Sequence, residues 1–120
     1  MKHFIQSLRC AFQGVLYAFS TEKNIRVHLL IFMLALITAF YFDISKVEFL
    51  IILLISAVTF SLELINTAIE RLADKVSPEF DIQIGIVKDV MAGAVLVSSI
   101  FSLIIGGVIF FNPLLKLIQS

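Results

Sequence analysis

Glu63, Asn66, Glu70 and Asp74 follow one another at intervals of three, four and four residues. At 3.6 residues per turn this spacing puts all four on one narrow face of a helix. That helix begins in an apolar run, Phe49 to Leu62. Three carboxylates and an amide thus stand where a bilayer-length helix leaves hydrocarbon. Ionisable groups beside hydrocarbon are costly and usually mark a site. The competing reading is a solvated polar face on an emerging helix. Two or three carboxylates can hold Mg²⁺ through oxygen, with waters and substrate phosphates completing the shell. A nearby lysine, such as Lys88, can neutralise a transferring phosphoryl group. A further, partly desolvated carboxylate can take a proton from an alcohol. Together these parts suit phosphoryl transfer from a nucleoside triphosphate to a membrane alcohol.

No soluble nucleotide-binding motif accompanies them. There is no G-x-x-x-x-G-K-[ST], and no G-x-G-x-x-G follows a strand. His3 and His28 lack the company of zinc ligands, and the single Cys10 has no disulfide partner within the chain. Net charge is zero, so no basic surface points to nucleic acid.

The elements that must position these residues follow from composition and periodicity. The chain has 120 residues, 60% of them hydrophobic and only 15% charged. Its mean hydropathy is +1.06. A soluble domain of this length cannot hide so much apolar surface. The expected fold class is all-α integral membrane: an amino-terminal interfacial amphipathic helix plus three transmembrane helices, in one domain spanning residues 1–120.

Phe4, Ile5, Leu8, Phe12, Val15, Leu16 and Phe19 recur at helical spacing and place the surface helix over about 1–22. It is not a convincing signal peptide. The spans are expected at about 25–42, 47–72 and 90–111, the second carrying its polar face on to about Asp74. Glu22 and Arg26, four apart, read as an interfacial charge pair. Asp43 or Ser45 is expected to cap the second span. Residues 75–87 read as a loop, with a short helix behind Ser77-Pro78. The third span is expected to stop before Asn112-Pro113. Ala94, Ser98, Ser102 and Gly106 form a small-residue seam that allows close helix contact.

Lys2, Arg9, Lys23, Arg26, Arg71, Lys75 and Lys88 flank one side of the spans, and only Lys46 and Lys116 flank the other. The positive-inside rule puts the amino terminus and the 71–89 segment in the cytoplasm. Glu22, Glu63, Glu70, Asp74, Lys88 and Asp89 then gather near the cytoplasmic interface. A transport subunit that binds a permeating cation would instead need polar groups across the bilayer midplane, where these spans are apolar.

Three stretches carry a specific resemblance: Glu22-Lys-Asn-Ile-Arg-Val-His28, Glu63-Leu-Ile-Asn-Thr-Ala-Ile-Glu70-Arg-Leu-Ala-Asp74, and Lys88-Asp-Val-Met-Ala-Gly-Ala-Val-Leu96. In order and spacing they resemble the prokaryotic diacylglycerol kinase family over nearly the whole chain. The first is closest to the undecaprenol kinase branch typical of Gram-positive bacteria. The resemblance implies a small membrane lipid kinase, unrelated to soluble kinases, that forms a homotrimer with composite sites. It implies Glu63 as general base, with Asn66 and Asp74 supporting the site. Glu22 and Glu70 would hold Mg²⁺ with ATP, and Lys88 would contact the phosphates. Asp89 and Glu79-Phe80-Asp81 would help bind the nucleotide. Asn24, Arg26, His28 and Ala92 would lie near the lipid. His3 and Cys10 stand where the family usually has an Arg and a Tyr against ATP, which implies fewer contacts to the nucleotide. The substrate is expected to be undecaprenol, with diacylglycerol as the alternative.

Overall fold

The computed structural model describes residues 1–120 as four helices and no strand. Helix α1 spans Lys2–Thr21, α2 Lys23–Phe42, α3 Lys46–Val76 and α4 Ile82–Gln119. The last three are long and apolar enough to cross a membrane. At 1.5 Å per residue, the 31 residues of α3 extend about 46 Å, well beyond a hydrocarbon core of about 30 Å. The excess carries Glu63 to Asp74 out of the apolar zone.

Ser45 settles the start of α3. Its hydroxyl accepts from the Glu48 N–H, and the Glu48 carboxylate accepts from the Ser45 N–H, a reciprocal capping box. Asp43 does not cap this helix. It closes α2 instead, in the left-handed conformation at φ 51°, which Asp tolerates better than most residues.

Three sequence expectations are corrected. There is no short helix behind Ser77-Pro78. The linker is only Ser77 to Asp81, and α4 starts at Ile82, eight residues before the expected span. Asp81, not Ser77, is the cap: its Oδ1 accepts from the N–H groups of Gln83 and Ile84 at 2.8 and 3.2 Å. Second, α4 runs through Pro113 to Gln119. Proline removes one backbone bond, and the leucine-rich tail sustains the helix on either side of that loss. Third, Arg26 does not pair with Glu22. Its Nη1 donates to the carbonyls of Phe19 and Ser20 at 2.7 and 3.2 Å. The guanidinium thus satisfies carbonyls that the end of α1 leaves open, and it fixes the corner into α2.

The α3–α4 pair is the most extensive packing in the chain, and α2 joins it along α3. The seam at this contact is polar. Thr59 is fully buried, and its Oγ1 lies 2.5 Å from Ser98 Oγ and 3.1 Å from Ser102 Oγ. Ser98 and Ser102 belong to the expected small-residue seam. Gly106 does not work as a contact point, because a Cβ there would meet open space. Thr59→Val keeps the shape but strands Ser98. It is expected to destabilise the protein by about 1 kcal/mol. The double change Thr59→Val, Ser98→Ala should recover most of that loss, as read by denaturation in mixed micelles.

Only 12 of 120 residues are buried, and the molecule is a slab of 57 × 43 × 21 Å. Dozens of large apolar side chains therefore face outward, as they must when the surroundings are lipid or further copies of the chain. Helix α1 is tied on by its carboxyl end, where Ala18 is buried and the Arg71 guanidinium lies 5.0 Å from the centre of the Tyr17 ring. Residues 1–17 are exposed throughout.

Candidate active site

The polar face of α3 is buried in a graded way. Glu63 and Asn66 are buried, at 3% and 8% exposure, and Glu70 is half-buried. The Asp74 side chain is 64% exposed. This gradient is what a helix leaving a low-dielectric layer produces, and it refutes the reading of a uniformly solvated face. Thr67 is buried beside Glu63, and its hydroxyl donates to the Glu63 carbonyl at 3.0 Å.

A buried carboxylate must be paired or hydrogen-bonded. The Glu63 side chain has one neighbour of that kind, His28 of α2, with Nε2 3.6 Å from Oε2. That gap is longer than a hydrogen bond, and catalytic contacts of this kind tighten when substrate binds. Asn66 Oδ1 is the only buried side-chain oxygen or nitrogen without a partner. Buried acceptors are nearly always satisfied, so an orphan one turn from Glu63 suits a donor carried by a substrate.

One turn beyond Glu70, the Asp74 carboxylate accepts from Lys88 Nζ of α4 at 2.5 Å. Lys88 precedes the apolar stretch of α4. The hydrogen bond to Asp74 holds its ammonium above the ordinary range; burial opposes this, and the negative charges of Asp74 and Glu70 add to it. Lys88 therefore stays a cation at physiological pH, and it ties α3 to α4 at the rim of the site.

Below Glu63 a cavity of about 310 Å³ opens between α2, α3 and α4. Its walls include His28, Phe32, Ile52, Thr59, Leu103 and Phe110. His28 is the only ionisable lining residue and lies at the end nearest Glu63. The site thus joins a charged rim to an apolar channel that runs with the spans.

Other candidates are placed apart from this core. Asn24, Arg26, Asp89 and Ala92 are exposed, as is the Glu79-Phe80-Asp81 segment, where Phe80 is 91% exposed. The Asp81 carboxylate is engaged in capping α4. His3 and Cys10 lie on the uncovered part of α1 and touch none of the cluster. Glu22 sits half-buried at the α1–α2 corner. No group of three or more His, Cys, Asp or Glu residues lies together, so one chain offers no protein cage for a metal. Mg²⁺ rarely needs one, since it takes one or two carboxylates and completes its shell with phosphate and water. The half-buried Glu22 and Glu70 are oxygen donors of that kind.

The decisive comparison covers most of the chain: the family model for prokaryotic diacylglycerol kinase matches residues 9–110. The chain belongs to the prokaryotic diacylglycerol kinase family. It is 36% identical to an undecaprenol kinase of Bacillus subtilis, over 95% of this chain and 93% of that protein. It is 34% identical to a diacylglycerol kinase of Synechocystis, over 96% of this chain but 66% of that longer protein. A diacylglycerol kinase of Haemophilus influenzae is 31% identical over 92% of this chain and 95% of its own length. This family member is thus a membrane lipid kinase, with ATP as co-substrate. Glu22, Glu63, Glu70 and Lys88 all fall within the matched region, and His3 lies outside it.

Two features of the site escaped sequence reasoning. Thr59 was legible in principle, four residues before Glu63 on the same face. The Glu63–His28 contact was not, because nothing in the spacing sets the height of α2 against α3.

Proposed function

We propose that the whole chain, residues 1–120, is one lipid-kinase domain that transfers the γ-phosphate of ATP to the hydroxyl of undecaprenol. It would act at the cytoplasmic face of the cell membrane. The observation that carries this reading is the buried Glu63 beside His28, which lines an apolar cavity between the spans. A lipid alcohol fits both parts: the hydroxyl meets a carboxylate and the chain stays in hydrocarbon.

In this reading Glu63 accepts the hydroxyl proton. The O–H bond breaks, the oxygen attacks the γ-phosphorus, and the bridging P–O bond leaves with ADP. Asn66 Oδ1, otherwise orphaned, receives the hydroxyl first, and the O–H then turns to Glu63, which takes its only proton. Lys88, a fixed cation at the rim, offsets phosphate charge, and Asp74 aims it. Glu22 and Glu70 would hold Mg²⁺, which would neutralise charge on the triphosphate. Asp89, Glu79 and Phe80 approach the nucleotide from the cytoplasmic side, and Asn24, Arg26 and Ala92 approach the lipid. A homotrimer is the assembly proposed, because residues 1–16 stand exposed and a neighbouring copy would bring His3 and Cys10 to the nucleotide.

The identity to the Bacillus subtilis undecaprenol kinase favours undecaprenol, and that to the Synechocystis protein keeps diacylglycerol as the second reading. Phosphate transfer from labelled Mg²⁺-ATP in mixed micelles, with both alcohols present, separates them. Preferential labelling of undecaprenol is expected. Preferential labelling of diacylglycerol would keep the chemistry and overturn the substrate.

A further inference from the structure

We propose that His28 is the proton exit of the active site, carrying the proton that Glu63 gains at each turnover out to water. The inference rests on the reading of Glu63 as the base. A base that is 3% exposed can take a proton once, and it must lose it before the next cycle. The one ionisable group facing the Glu63 carboxylate is the His28 imidazole, whose Nε2 lies 3.6 Å from Glu63 Oε2 and whose side chain is 18% exposed. The ring thus has one nitrogen towards the buried carboxyl and a body that reaches the surface.

Imidazole suits this task because it takes and releases a proton near neutral pH at two separate atoms. After transfer the Glu63 O–H bond breaks and the proton bonds to Nε2. The Nδ1–H proton then leaves to water. One proton enters the ring and one departs, and a ring flip or exchange with water restores the starting tautomer. Nothing else near the ring competes. The α3 and α4 walls of the cavity it faces carry no ionisable side chain. On its own helix, Arg26 is held by the carbonyls of Phe19 and Ser20. The Lys88–Asp74 pair is the only other ion pair in the chain, and neither member contacts His28.

The test is His28→Gln in the full-length protein in mixed micelles, with undecaprenol, diacylglycerol and Mg²⁺-ATP. Gln keeps a polar group of similar reach but cannot relay a proton. Rapid-quench counting of ADP is expected to show a first turnover at the wild-type rate. Steady-state turnover should then fall by about a hundredfold, the scale at which a positioned acid–base group acts. In His28→Ala, added imidazole should restore much of the steady-state rate. A wild-type steady state in His28→Gln would overturn the proposal. So would a first turnover that falls as far as the steady state, with no recovery of His28→Ala by imidazole; His28 would then only position Glu63. Glu63→Gln, measured alongside, distinguishes the two levels. If that variant turns over normally, the base assignment itself has failed.

Discussion

Glu63→Gln is expected to lower kcat by about a thousandfold, within the range that loss of a positioned general base produces. Gln has the same shape, so the site should keep its packing, and ATP should bind with nearly unchanged affinity. Glu63 is the most deeply buried ionisable group in the chain, one turn along α3 from Thr59 of the cavity wall. A carboxylate held there without a strong partner destabilises the fold relative to an amide, since charge burial is costly. The variant should therefore be at least as stable as the parent. A pairing of lost turnover with equal or greater stability in denaturant titration is the signature of a functional group retained against stability. Turnover at the parent rate would remove Glu63 from the chemistry.

Lys88→Met is expected to lower kcat/KM for ATP by about a hundredfold or more, the cost of removing one preorganised charge from a phosphoryl-transfer site. Its effect on folding should be small. The pair with Asp74 lies at the rim, with side chains 36% and 64% exposed, and such pairs contribute little to stability. Asp74→Asn leaves the cation in place and loosens only its direction, so its loss should be much smaller. Steady-state kinetics with ATP varied at saturating lipid checks both. Equal losses in the two variants would mean that the bridge between α3 and α4 matters, rather than the charge on phosphate.

The two variants separate the halves of the reaction. In the proposed mechanism Glu63 acts on the alcohol and Lys88 on the phosphates. The helices that carry them, α3 and α4, are packed along Thr59, Ser98 and Ser102. That polar seam lies one turn below Glu63 and sets its height against Lys88.

Much of this was legible in the chain itself. The run from Phe49 to Leu62 followed by Glu63, Asn66, Glu70 and Asp74 determines a spanning helix with a polar end, because 3.6-residue periodicity and apolar length are local properties. The order of three spans behind an amphipathic helix follows for the same reason. So does the family, since the Glu63-to-Asp74 and Lys88-to-Leu96 runs are read directly from the residues. Helix ends were less legible. Pro113 and Ser77-Pro78 are strong local signals, yet α4 runs through the first and ignores the second, because packing and an Asp81 cap outweigh propensity.

What only the tertiary structure decided is which polar residues meet. Arg26 was four residues from Glu22 and turned instead to the carbonyls of α1. His28 met Glu63 across 35 residues of chain, and Asp74 met Lys88 across a five-residue linker. These pairings depend on the relative height and rotation of separate helices. Those quantities are fixed by the sum of side-chain contacts along α2, α3 and α4, and no local spacing in the sequence records them.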